Sequence, residues 1–138
     1  MKLIACAGIV VITLGLVSCG GGKYADAKAA MNDQIAFMDE FVSQVDKASS
    51  AKDVAAAVNR YSEQMTRMLE QSTKLKEKYK GVDLENAPEL KEEMEKVKAS
   101  AMKFAQAFMK IGTQYGNDPE VQTATAKWRE TMTKAAQP

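Results

Sequence analysis

Methionine sulfur is the most conspicuous potential ligand in this 138-residue sequence. Eight methionines follow the initiator, and Met65 and Met68 are spaced to lie on one face of a helix. Thioether sulfur is a soft donor that suits Cu(I). Six of these eight residues nevertheless fall at the apolar positions of predicted helices, where flexible methionine is a normal core residue. Core packing is therefore the favoured interpretation, and a soft-metal site is the alternative.

An apolar ligand between helices is a related hypothesis. Two aromatic residues and two methionines fall on the inner faces of the predicted second and third helices. The predicted contacts of a small apolar molecule or soft metal are Met65, Met68, Phe104 and Phe108. Met102 and Met109 lie one position to the side of the third stripe, where they would border a partly exposed groove or broaden the core face.

Recognisable catalytic motifs are missing from the sequence. It contains no histidine, which excludes Ser-His-Asp triads, histidine-ligated metals and histidine-ligated haem. Carboxylate pairs such as Glu92 and Glu95 have helical spacing, but a di-iron bundle site also needs histidine. No phosphate-binding loop, nucleophile elbow or zinc motif occurs. We therefore expect neither an enzyme nor a cofactor.

Charge is balanced along the chain, with 19 Lys+Arg against 18 Asp+Glu and a formal charge of +1. Nucleic-acid binding needs a clustered basic excess, so we expect no nucleic-acid partner. Four lysines between 74 and 80 and four glutamates between 89 and 95 would meet at one end of a helical hairpin. Their mutual neutralisation is the simpler interpretation, and a polar tip that docks a partner is the other.

The first residues have the pattern of a secretory signal. Lys2 precedes an apolar run from Leu3 to Leu14. That run is too short to span a bilayer, which needs about 20 apolar residues. We therefore interpret this segment as a signal peptide and exclude it from the fold.

The four residues that follow, Leu16-Val17-Ser18-Cys19, resemble the lipobox of bacterial lipoproteins. The resemblance implies that residues 1–18 are cleaved as a signal peptide and that a diacylglyceryl group is attached to the Cys19 sulfur. It also implies acylation of the new amino end, for example with palmitate. Two or more chains anchor a protein stably where one chain is marginal. Cys6 would leave with the signal, so no thiol would remain.

Gly20 follows the cysteine directly, and Gly20 to Gly22 reads as a flexible spacer. By resemblance to the sorting rule of enterobacterial lipoproteins, a residue other than Asp at this position favours the outer membrane. We therefore expect residues 19–23 to tether a periplasm-facing domain to the outer membrane. In an organism with a single membrane, the tether would hold the domain on the outer leaflet of the plasma membrane.

From Tyr24 onward, apolar residues recur every three or four positions, which is typical of amphipathic helices. In the third segment the positions predicted to face inward include Ala101, Phe104 and Phe108. Ser50 with Asp53 forms a variant capping box, Gly81 and Gly116 mark helix ends, and Asp118 precedes a proline at a helix start. These signals divide residues 24–136 into helices at about 24–48, 51–80, 87–115 and 119–136.

Four such stripes predict an all-α, antiparallel up-down-up-down four-helix bundle. The 4-3 spacing is coiled-coil-like and favours shallow crossings of about 20°. We expect the hairpin of the second and third helices to form the spine, with the shorter first and fourth helices leaving part of it uncovered. A long hairpin that completes its core by dimerising is the alternative.

The helical layout, with Val45-Asp46-Lys47-Ala48 through Lys52-Asp53, is similar to the periplasmic four-helix haem b cytochromes. In that family a methionine in the first helix and a histidine in the last one ligate the iron. Met31 lies near the place of the methionine, but residues 131–138 offer no histidine. The resemblance therefore implies the bundle and not the haem.

Together these patterns predict a lipoprotein without catalytic activity, anchored in the membrane through Cys19. Its expected work is protein binding or scaffolding, with an envelope protein or another copy of itself as the partner. The alternative is a periplasmic carrier of a small apolar ligand or soft metal within the bundle.

Overall fold

The computed structural model describes residues 22–84 and 86–135. Its helices are α1 (Ala25–Lys47), α2 (Ala51–Lys78), α3 (Lys91–Tyr115) and α4 (Pro119–Ala135), with a 3-10 turn at Pro88–Leu90 before α3. None of the described residues lies in a strand. The prediction of an all-α four-helix bundle is confirmed. The signal peptide, the lipobox with Cys19 and the start of the glycine spacer lie outside the described residues.

The helix ends follow the local signals in the sequence. Ser50 Oγ accepts a hydrogen bond from the backbone N–H of Asp53 at 3.2 Å, and Ser50 Oγ donates to Asp53 Oδ2 at 2.8 Å. At the start of α4, Asp118 Oδ1 accepts from the backbone N–H of Glu120 at 2.9 Å. Gly81 has φ 82°, a conformation that favours glycine, in the turn that follows α2. These contacts confirm the predicted capping box and the predicted start of α4.

Cross-helix ion pairs show that α1 and α3 run parallel. Lys28 Nζ lies 3.1 Å from Glu93 Oε1 near the starts of the two helices, and Lys110 Nζ lies 3.0 Å from Asp46 Oδ1 nearer their ends. The three-residue connection 48–50 makes α2 antiparallel to α1. Three helices therefore alternate in direction along the chain.

The fourth helix runs parallel to α2. Pro119, at the start of α4, lines a shallow pocket with Lys52, and Ser62 Oγ lies 3.2 Å from Thr131 Oγ1 farther along. The up-down-up-down order is thus present, with each parallel pair side by side.

The central position belongs to α1, which packs along both α2 and α3. The backbones of α2 and α3 approach each other at few points, so the prediction that their hairpin forms the spine is wrong. The segment 79–90 between them is long enough to carry the chain across the bundle, and it leaves α1 in between. Local periodicity does not specify this choice of neighbours.

The half of the bundle that contains all four helices is called the closed half. Its centre is an aromatic cluster in which neighbouring ring centroids lie 4.6–5.1 Å apart. The cluster consists of Phe41, Tyr61, Phe104, Phe108 and Trp128. Such offset and tilted ring pairs add to the stabilisation gained by apolar burial.

The inner face of α3 is turned slightly away from the predicted stripe. Ala101, predicted to face inward, is exposed, whereas Ser100 and Ala107 are buried. The Ser100 hydroxyl donates to Asp39 Oδ1 on α1 at 3.0 Å. Because α1 is the main neighbour of α3, the buried face of α3 points toward α1. The side chain of Ala101 is small, so its exposure to solvent costs little free energy in this orientation of the helix.

Membrane-spanning character is not found in the described part of the chain, where no helix combines the length and apolarity needed to cross a bilayer.

Candidate functional site

An open groove of about 730 Å³ occupies the other half of the bundle, which is called the open half. Its floor is the first part of α1, its walls are the last part of α2 and the first part of α3, and the loop 80–84 closes one end. Its large apolar side chains are mostly half-buried and include Met31, Met68, Leu75, Leu84, Met94 and Val97. A volume of this size lies within the range of ligand-binding clefts.

The groove exists because α4 covers only part of α2. The helix α2 has 28 residues and α4 has 17. Thr131, near the end of α4, contacts Ser62, whereas α2 continues to Lys78. Because α4 continues one more turn to Ala135, it reaches about as far as Thr66. The remaining stretch of about 12 residues is about 18 Å long at 1.5 Å per residue. The uncovered region predicted from the unequal helix lengths lies here.

Polar contacts hold the loop end of the groove together. Asp26 on α1 accepts hydrogen bonds from the Lys78 ammonium and the Tyr79 hydroxyl, and these three residues form the Asp26 cluster. The Tyr79 ring packs 5.6 Å from the buried Tyr24 ring, measured between centroids. Beside it, Leu90 is fully buried. The start of α1 is thus fixed to the end of α2.

These contacts shift the acid–base properties of the Asp26 cluster. The hydrogen bonds from Lys78 and Tyr79 lower the pKa of Asp26 from 3.8 to about 2. The same bonds raise the pKa of Lys78 and the pKa of Tyr79. The cluster is therefore charged and intact at neutral pH, which suits a structural fastening and gives no proton donor or acceptor for catalysis near pH 7.

Lysines line the groove on the α2 side. Lys76 and Lys80 both contribute to the lining, and neither forms an ion pair with another described residue. The Asp83 carboxylate, also in the lining, accepts hydrogen bonds from the backbone N–H of Asn86 at 3.2 Å and from its side-chain amide at 2.7 Å. The mouth of the groove therefore combines an apolar floor with two lysines and one carboxylate, which Asn86 holds at the loop end.

Mutual neutralisation of the two charge runs does not occur within the described residues. Lys78 pairs with Asp26 and Glu93 pairs with Lys28, so both runs are partnered by α1. Glu92 pairs within its own helix, with Lys96 at 2.7 Å. The reason is the central position of α1, which separates the run on α2 from the run on α3.

The four residues predicted to contact a ligand lie in two different places. Phe104 and Phe108 belong to the aromatic cluster, with centroids 4.9 Å apart. Met65 is 9% exposed and packs in the same core. Met68, one turn farther along α2, lines the groove. Cys19, the predicted lipidation site, lies outside the described residues.

The groove residues other than Met68 were not predicted to form a site. Met31 and Met94 were predicted as core positions, because a helical stripe gives no sign of where the covering helix ends. Met102 and Met109, considered as groove residues, are 65% and 71% exposed on α3 and are not part of the groove lining.

Thioether sulfurs from three helices surround the groove, since Met31, Met68 and Met94 come from α1, α2 and α3 in turn. Among the described residues, no group of three or more His, Cys, Asp or Glu side chains is placed to hold a metal ion. Thioether sulfur is a soft donor, so the three methionine side chains would suit a soft metal ion.

The groove thus offers apolar contacts and exposed lysines between three helices. No family model, curated protein or solved structure matches the chain.

Proposed function

We propose that this chain is a lipid-anchored envelope protein that binds a partner protein in the open groove and performs no catalysis. The sequence Leu16-Val17-Ser18-Cys19 supports the anchor by its resemblance to the lipobox. The observation that carries the binding role is the apolar groove left between α2 and α3 beyond the end of α4. Apolar clefts between the helices of a bundle are common binding sites.

The anchor and the groove would lie at the same end of the molecule. Only Gly20 and Gly21 separate Cys19 from Gly22, so the lipid would lie within about 11 Å of Gly22 at up to 3.6 Å per residue. Tyr24 packs beside Tyr79 at the loop end of the groove. The loop end would therefore face the bilayer, and the closed half would point away from it, in the periplasm of a bacterium with an outer membrane.

The anchor is tested by replacing the lipidated cysteine. Cys19→Ser is expected to abolish incorporation of labelled palmitate and to release the protein from the membrane fraction or block its processing. Cys6→Ser is the matched control, because Cys6 would be removed with the signal and its loss should change neither result. Membrane retention and normal maturation of Cys19→Ser would contradict the lipid anchor.

The binding role is tested by photocrosslinking in intact cells. A photoreactive residue at Gln71, which is exposed and lines the groove, is expected to capture one discrete partner protein. The same residue at Met109, which is exposed outside the groove, is the control. Equal capture from the two positions, or none from Gln71, would contradict partner binding in the groove.

A carrier of a small apolar ligand or soft metal is the second candidate function. The volume of the groove and its three methionines, Met31, Met68 and Met94, favour it. Native mass spectrometry and metal analysis of the purified protein separate the two functions. A stoichiometric bound organic mass, or one copper ion per chain, would favour the carrier over the protein-binding role.

A further inference from the structure

The open half has the form of a four-helix bundle with one helix position vacant. In the closed half, α4 fills the position beside α2, where Val121 and Ala124 are buried and Trp128 packs against Phe108. In the open half, α1, α2 and α3 continue, but no described helix occupies the corresponding position. An occupant in line with α4 would lie in the groove along about 18 Å of α2.

The face of α2 that would meet this occupant changes character along the helix. Ala55, Ser62, Leu69 and Lys76 are spaced two helical turns apart and share one face. Ala55 and Ser62 are buried beside α4, Leu69 is half-buried, and Lys76 is exposed. Lys80, in the turn after α2, also lines the groove. A helix that continued the line of α4 would therefore lie against lysines instead of alanine and serine.

The opposite wall carries a similar arrangement. Met94 and Val97 line the groove from α3, and Lys98 is exposed one turn beyond Met94. Lys98, like Lys76 and Lys80, forms no ion pair with a described residue. The floor is apolar and both edges are cationic, so an occupant with an apolar stripe flanked by carboxylates complements the groove.

We infer that the groove binds an acidic amphipathic helix of another protein, which completes the bundle in line with α4. This inference rests on the proposed binding function and specifies its partner. An amphipathic helix needs only one face covered, as in other helix-in-groove complexes, and this groove covers one face. Carboxylates beside the apolar stripe would pair with Lys76, Lys80 and Lys98, which sets orientation and selects against basic partners.

A lipid chain and a second copy of this protein fit the groove less well. An acyl chain has no polar face, so the side of it that the groove leaves open would stay in water. The exposed apolar side chains of α3, Met102 and Met109, are adjacent to Lys103 and Lys110. If a second copy docked this face of its α3 into the groove, its lysines would lie against the lysines of the groove and repel them.

The inference is tested with synthetic peptides of about 14 residues, or about four helical turns. One peptide carries Leu at positions i, i+3, i+4 and i+7 with Glu on both sides of this stripe, and a second has Lys in place of Glu. A third has the composition of the first in scrambled order. We expect the full chain, as purified from cells, to bind only the acidic amphipathic peptide and to increase its helical circular dichroism signal.

Charge reversal in the groove gives the matched comparison. Lys76→Glu/Lys80→Glu should weaken binding of the acidic peptide at least about tenfold and allow the lysine peptide to bind. Lys74→Glu/Lys103→Glu makes the same change of net charge at exposed positions outside the groove, and binding should stay within about twofold. Unchanged melting temperatures confirm that the variants fold.

Several outcomes would overturn the inference. If the two double variants weakened peptide binding equally, binding would depend on net charge and not on the groove. Failure of the wild-type protein to bind the acidic peptide would refute the inference. A bound lipid, or dimers that Lys76→Glu/Lys80→Glu disrupts, would assign the groove to a different occupant. If Gln71 still crosslinks a protein in cells while the peptide fails to bind, the proposed function stands and only the acidic-helix inference fails.

Discussion

The closed and open halves are built on the same three helices, yet they differ in what covers the apolar stripes. In the closed half α4 is present, and Val54, Val58 and Phe41 are almost completely buried. In the open half the stripes continue through Met68, Leu75 and Met94, which remain half-buried around a groove. Helical periodicity therefore specifies which residues face inward, while the length of the fourth helix decides how deeply they are buried.

The two halves also differ in how they are fastened. Aromatic rings interlock in the closed half, with stacking across three helices around Phe41. The open half is held by the Asp26 cluster and by ion pairs such as Lys28 with Glu93. Exposed ion pairs contribute less than buried apolar area, so the open half should be the less stable one.

The largest expected difference between the halves comes from one pair of matched substitutions. Met65 and Met68 lie one turn apart on α2, but Met65 packs in the closed core and Met68 lines the groove. Met65→Ala should lower the free energy of unfolding by about 2–4 kcal/mol, and Met68→Ala should lower it by about 1 kcal/mol. Urea unfolding of the two variants measures both values. Equal losses would remove the distinction between the halves.

A smaller effect is expected from the Asp26 cluster and depends on pH. The pKa of Asp26 is lowered from 3.8 to about 2 in the folded chain, so its stabilising effect is full above about pH 4 and disappears as pH falls toward 2. Its side chain is 40% exposed, so solvent screening limits the effect to about 1 kcal/mol.

Unfolding of Asp26→Asn across pH 2–7 measures this contribution. The variant should be less stable than the wild type at pH 7 and equal to it near pH 2. Asp33→Asn, at an exposed position of the same helix, is the control and should match the wild type throughout. A stability loss that is the same at every pH would show that the Asp26 carboxylate is not responsible.

The smallest effect is expected on the outer face of α3. Met109 is 71% exposed, so Met109→Gln removes little apolar burial and should change the free energy of unfolding by less than about 0.5 kcal/mol. Thermal unfolding is a sufficient measurement. A loss above about 2 kcal/mol would mean that this face of α3 is covered in solution by a partner.

The helices themselves were largely predictable, because capping residues such as Ser50 with Asp53 act locally and the stripes repeat over many turns. Ala101 was placed on the wrong face because an alanine fits either a buried or an exposed position. The central position of α1 was not predictable, since it depends on which stripes pack together across the bundle. The difference between Met65 and Met68 was likewise hidden, because it depends on how far α4 extends along α2.

Amide hydrogen exchange along α2, with and without the acidic peptide, tests the central claim most directly. In the free protein, amides of residues 66–78 should exchange at least about tenfold faster than those of residues 54–65, because that part of α2 borders the vacant helix position. Addition of the peptide should protect residues 66–78 and leave the rest unchanged. Uniform protection of α2 in the free protein, with no response to the peptide, would contradict the existence of a vacant position that a partner helix fills.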